Sequence, residues 1–117
     1  MKRIEILDQA TLPEGRPLPL APENLIDGSP ALTSWVVDNL REGAIRAGMW
    51  ECTPGTIRVI KGEAYEFCTI LSGRAEITDE DGTVINVKAG DTLVMRPGFV
   101  GAWKTLETMR KYWVIAK

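Results

Sequence analysis

The sequence predicts an all-β fold, a single small barrel or sandwich of short strands. Three observations carry this. Turn signals recur about every 8–12 residues. The segments between them are short and rich in β-branched and aromatic side chains. No stretch keeps a helical apolar period for three turns. Seven prolines and eleven glycines in 117 residues fit many turns better than long helices. The length suits one domain, large enough to fold alone.

Residues 1–30 read as an extended arm and residues 31–117 as the barrel. The segment "LPEGRPLPLAPENLIDGSP" carries five prolines and two glycines, which disfavours an interior helix or a central strand. "EILDQATLPEG" holds one short strand at most. From residue 33 strands follow in series. "TSWVVDN" (33–39) precedes a turn at 41–43. "AIRAGMWECT" (44–53) stops at Pro54-Gly55. "TIRVI" (56–60) is broken by "KGEA". "YEFCTILS" (65–72) is the most apolar and reads as central, and Gly73 turns or bulges the chain. "RAEITD" (74–79) alternates, with Ala75, Ile77 and Asp79 on one face. The Asp-Gly at 81–82 signals a hairpin into "TVINV" (83–87). "KAGD" turns again, and "TLVM" (92–95) leads to Pro97-Gly98. "VGAWKTLE" (100–107) and "MRKYWVIA" (109–116) are expected to close the chain as a hairpin. That makes about eight or nine short strands.

Composition excludes some functions. The hydrophobic fraction is 44% and the charged fraction 26%, with a net charge of −2. No basic footprint marks a nucleic-acid binder. No run of about 18 apolar residues marks a membrane span. Acidic residues in "MKRIEILDQA" stand where a signal peptide needs an apolar core, so the protein reads as cytoplasmic. Cys52 and Cys68 lack a CxxC spacing and read as buried thiols. The chain has no histidine. That removes the commonest acid–base and metal-binding side chain, along with any Ser–His or Cys–His pair. No Gly-rich phosphate loop leads from a strand into a helix.

Six segments occur in a telling order: "GMWECTPG" (48–55), "EFCTILSGR" (66–74), "ITDEDGT" (77–83), "AGD" (89–91), "RPGFVGAW" (96–103) and "RKYWVI" (110–115). Over residues 30–116 the chain resembles the small single-domain cupins of the ureidoglycine aminohydrolase-like subfamily, a domain of unknown function. The resemblance implies a double-sheet jelly-roll β-barrel. Cupins of this kind hold a divalent metal inside the barrel through motif histidines and a glutamate. Six residues separate Glu66 from Gly73, so Glu66 matches the first-motif glutamate. Counting back four and six places reaches Gly62 and Ile60, which offer no side-chain ligand. The second-motif histidine place falls near Gly101, Ala102 or Trp103. The aminohydrolase ligand set would fall on Ile60, Gly62, Glu66 and Ala102, where only Glu66 has a donor. A catalytic transition-metal site usually needs three protein ligands. The usual metal site is therefore expected to be lost.

Strand alternation puts Glu66, Cys68 and Ile70 on one face, which the resemblance turns into the barrel. The same register would turn Arg58 and Ile60 inward, making Arg58 the expected partner of Glu66. A buried carboxylate needs such a partner or it protonates. Glu63 and Tyr65, at the strand mouth, are candidate rim contacts or plain loop residues. Lys61 reads as a lone surface lysine. Trp103 lines a pocket or plugs the space a metal would fill. Trp50 and Trp113 read as core or interface, and Trp35 suits dimerisation. Arg96 is placed to reach a carboxylate or phosphate. Cys68, one strand step from Glu66, would be reactive only beside a cation.

With the resemblance, these residues lead to the expectation of a small-molecule-binding cupin. Its candidate ligand-binding set is Arg58, Glu63, Tyr65, Glu66, Cys68, Arg96 and Trp103, and Glu66 is the candidate catalytic acid–base. No metal ligand and no cofactor are expected. The expected partners are a small polar metabolite and, as a homodimer, a second copy. The alternative is a metal-assisted enzyme for C–N hydrolysis or sugar/carboxylate isomerisation. There manganese or zinc would be recruited by Glu63, Glu66 and backbone or water. A third reading is a structural subunit that pairs with another cupin.

Overall fold

Two long strands, each bent in the middle, organise the architecture. In the computed structural model, which describes residues 2–117, nine strands are found among the described residues. They are β1 (Arg16–Pro17), β2 (Leu25–Gly28), β3 (Leu32–Leu40), β4 (Ile45–Cys52), β5 (Gly55–Ile60), β6 (Tyr65–Asp79), β7 (Val84–Lys88), β8 (Thr92–Met95) and β9 (Val100–Ala116). One 3-10 turn, Pro22–Asn24, lies between β1 and β2. No helix of the described residues is long and apolar enough to cross a membrane.

β6 and β9 pair antiparallel from Tyr65↔Ala116 to Asp79↔Gly101. The other edge of β9 pairs with β4 through residues 109–116 and with β5 through residues 100–105. The other edge of β6 pairs with β8 through residues 66–69 and with β7 through residues 74–78. Two sheets result, both crossed by the same two strands. The larger runs β1-β3-β4-β9-β6-β8 and the smaller β2-β5-β9-β6-β7. They close on an apolar core that includes Trp50, Ile57, Ile70, Ile77, Trp103 and Met109. This is the double-sheet jelly roll that the resemblance implies.

The bend has a local cause. The β6–β9 register slips between Ile70 and Ala75. On β6 the buried positions change phase there, from Glu66, Cys68 and Ile70 to Ala75 and Ile77. Gly73 sits between them at φ +82°. A Cβ at Gly73 would lie 2.4 Å from the Thr108 carbonyl oxygen, so only glycine allows the strands to approach this closely.

Two expectations need correction. The C-terminal hairpin is instead the single strand β9, because residues 104–108 continue the ladder past the bend. Likewise "YEFCTILS" and "RAEITD" form one bulged strand. The N-terminal segment adds β1 to the edge of β3 and β2 to the edge of β5. Ahead of β1 it crosses the outer face of the larger sheet. There Trp35 Nε1 donates to the Pro13 carbonyl (2.7 Å) and the Tyr112 hydroxyl donates to the Leu7 carbonyl (3.3 Å). Met49, between Trp35 and Tyr112 in register, is fully buried beneath it.

Candidate functional site

Directly opposed residues of neighbouring strands share a sheet face. Arg46, Ile115, Glu66 and Met95 therefore form one row across β4, β9, β6 and β8. Ser34, Trp50, Lys111 and Ile70 form a second row on the same inner face. Between them Gly48 contributes no side chain, and the Trp113 ring lies over it. Trp103 faces these rows from the smaller sheet, its ring 5.6 Å from that of Trp50 and nearly perpendicular. The rows enclose a cavity of about 280 Å³, walled largely by apolar and aromatic side chains.

In its wall lies a buried ionic triad. Lys61 Nζ donates to Glu66 Oε1 at 2.6 Å, and Lys111 Nζ donates to Glu66 Oε2 at 2.7 Å. Lys111 Nζ also stands 4.6 Å from the Trp50 ring centroid and 4.5 Å from that of Trp103, so both π faces attract it. Burial pushes the Glu66 carboxyl upward, but Lys111 and then Lys61, through charge and hydrogen bonds, more than offset this. The net direction is below the ordinary value of 4.5. Glu66 is 4% exposed and Lys111 6% exposed, so the pair is genuinely internal.

The partner of Glu66 is thus not Arg58. On β5 Ile57 is buried and Val59 packs on the core, while Arg58 and Ile60 are exposed. Pairing Ile57 with the buried Trp103 fixes that phase. Arg58 only borders the cavity and makes no ion pair among the described residues. Lys61, expected on the surface, is instead turned onto Glu66 with its side chain 12% exposed.

The other candidates scatter. Trp103 is 1% exposed and lines the cavity. Glu63 is exposed, and Tyr65 lies on the outward-facing alternation of β6. Cys68 shares the inward face of Glu66 but is sealed in the core, and burial pushes its thiol up to about 11 against the pull of Lys111. That leaves it a thiol at neutral pH, unsuited to nucleophilic chemistry. Arg96 is exposed and borders a separate depression between β8 and the β6–β7 hairpin. The structure brings together Glu66 and Trp103, and adds Lys61, Lys111, Arg46, Trp50 and Trp113.

The donor set does not fit the divalent metal that the resemblance implies. Glu66 is the sole carboxylate of the cavity wall, and both its oxygens already hold an ammonium group. No group of three His, Cys, Asp or Glu able to hold an ion occurs among the described residues. An ammonium group, aromatic faces and a paired carboxylate can bind and orient a polar ligand.

Residues 40–113 match the family of EutQ-like cupin domains. No curated protein matches the chain. Among solved structures, a DUF861-family protein of unknown function from Pseudomonas syringae is 24% identical over 90% of this chain and 45% of its own, with a TM-score of 0.76. The present chain thus spans less than half of that protein. The EutQ protein of Clostridium difficile is 14% identical over 85% of this chain and 80% of its own, at a TM-score of 0.66. A predicted oxalate decarboxylase from Thermotoga maritima is 14% identical over 96% of this chain and 98% of its own, at a TM-score of 0.69. At these identities the likeness is one of fold.

Proposed function

Starting from the premise that this chain belongs to the EutQ-like cupin domain family, we propose that it is a metal-independent binding protein for a small polar metabolite, held inside the barrel. One observation carries the reading: the Lys111 ammonium occupies the inward glutamate where cupins place an ion. Replacing a divalent ion by a lysine keeps a positive charge at the barrel centre but removes open coordination positions. Glu66, the candidate acid–base, is engaged on both oxygens. It serves as the anchor that holds two lysines at the wall of a largely apolar cavity. The resemblance to ureidoglycine aminohydrolases therefore extends to the barrel and not to the chemistry. The reading includes a homodimer paired through the outer face of the larger sheet.

Elemental analysis tests it. Protein purified without added metal should hold far less than one manganese, zinc, iron or nickel ion per chain. A stoichiometric ion that survives dialysis would overturn the reading.

A further inference from the structure

We infer that the ligand is a small organic carboxylate with an apolar, flat body, received by the cations of the cavity wall. The inference rests on the binding role proposed above and deepens it.

The cavity has an unbalanced charge. Lys61, Lys111, Arg46 and Arg58 line it, and Glu66 is the sole acid among the lining residues. Glu66 neutralises the equivalent of one of these cations. Arg46 makes no ion pair among the described residues, and its guanidinium lies 5.9 Å from the Trp113 ring centroid. Each ammonium has three N–H donors and guanidinium five. The triad uses one donor of Lys61 and one of Lys111 on Glu66. A further donor is unmet: Trp103 Nε1 is buried with no hydrogen-bond partner.

The wall thus offers donors in excess, while its one carboxylate is already saturated. That pattern selects a ligand with acceptor oxygens and negative charge. A cationic ligand would meet four like charges and no free carboxylate. Apart from Ser34 the rest of the wall is apolar or aromatic, with Trp50, Trp103, Trp113, Met95 and Ile57 among it. Such a lining selects an apolar or aromatic body over a polyhydroxylated one. The volume of about 280 Å³ lies near the small end of ligand sites.

Three of the four tryptophans line the cavity, so intrinsic fluorescence reports its occupancy. The test titrates the protein with benzoate, with its neutral isostere benzamide and with benzylamine, following both fluorescence and thermal shift. Benzoate should quench and stabilise. Benzamide should bind about tenfold more weakly, the difference between a charge-assisted and a neutral hydrogen bond. Benzylamine should not bind. Arg46→Gln, which breaks no ion pair, should weaken benzoate about tenfold and leave benzamide unchanged. Lys61→Met should do the same if it folds. Benzamide binding as tightly as benzoate, or benzylamine binding better than either, would overturn the carboxylate assignment and leave the binding role standing. If no probe changes the fluorescence at millimolar concentration, the assignment and the binding role fall together.

Discussion

Lys111 lies between two tryptophan faces and a carboxylate, and its charge is tolerated inside the barrel because Glu66 and the aromatic rings replace its water. The converse also holds, since Glu66 is ionised there because two ammonium groups face it. Replacing Glu66 by Gln keeps the shape and removes the charge, leaving two internal ammonium groups without a counter-ion. Losing one partner of a buried pair costs about 3–5 kcal/mol, so Glu66→Gln should lower the melting temperature by about 10 °C or more. A melting temperature within a degree or two of the parent would contradict the internal triad. The sign of the pH effect follows from the lowered pKa. The unfolded carboxyl titrates near 4.5 and the folded one lower, so the triad's contribution is complete above pH 4.5. It is lost as the pH falls from there through the folded value. The parent should lose stability over that acid window, and Glu66→Gln should show a flatter profile in parallel melts. Glu66 was legible in the sequence through its spacing to Gly73 and the alternation of residues 66–70. Its partner was not. In "TIRVI" Ile57, Val59 and Ile60 occupy both phases, so the strand itself does not say which side Arg58 takes. Lys111 did leave a signal, a charge flanked by Met109 and Trp113 on one alternation, and all three are buried.

β6 and β9 show where element boundaries were readable and where they were not. Gly73 announced a bulge, and the bulge is there. The end of the chain was read as two strands, yet residues 104–109, "KTLETM", contain no Gly, Pro, Asn or Asp to make a turn. Continuation as one strand was the better-supported choice on that ground. The bend itself depends on Gly73, which has φ +82° and no room for a Cβ against Thr108 and Met109 backbone. Gly73→Ala combines a left-handed conformation costing about 1–2 kcal/mol with a backbone clash, so a total above about 2 kcal/mol is expected. Urea unfolding should show a lower midpoint with an unchanged slope. No change in midpoint would mean that the two strands can separate at the bend without loss. Beyond the local hairpins β3–β4 and β6–β7, the pairing order of the strands was beyond sequence reading, because the other ladders join residues far apart in the chain and local pattern carries no information about them.

The whole barrel was legible from the rhythm of turns and the ordered segments, because both follow local rules of backbone geometry. Its association with a second copy is a separate matter of surface. Val94, Phe67, Val114 and Ala47 form one row across the outer face of the larger sheet. Phe67 is 46% exposed and Val114 42% exposed. The arm adds Ile4 and Ile6, about nine-tenths exposed at 89% and 91%. A contiguous apolar row, together with exposed apolar side chains on the arm, is the kind of surface that pairs. We propose that two copies bury it, and light scattering at micromolar concentration should return roughly twice the 12.9 kDa chain mass. Phe67→Lys should shift the mass toward a single chain, whereas a parent mass near 12.9 kDa would refute the pairing. The shared spine of the two sheets has a consequence for how the molecule comes into being. β9 is the common neighbour of β4, β5 and β6, and it leaves the ribosome after all three. Its contacts with β6 span 22 residues at Asp79–Gly101 and 51 at Tyr65–Ala116, so neither sheet has its central strand until translation of the domain is nearly over. The nascent chain carries β-prone edges that lack their final partner for most of its synthesis, and such long-range pairing is intrinsically slow.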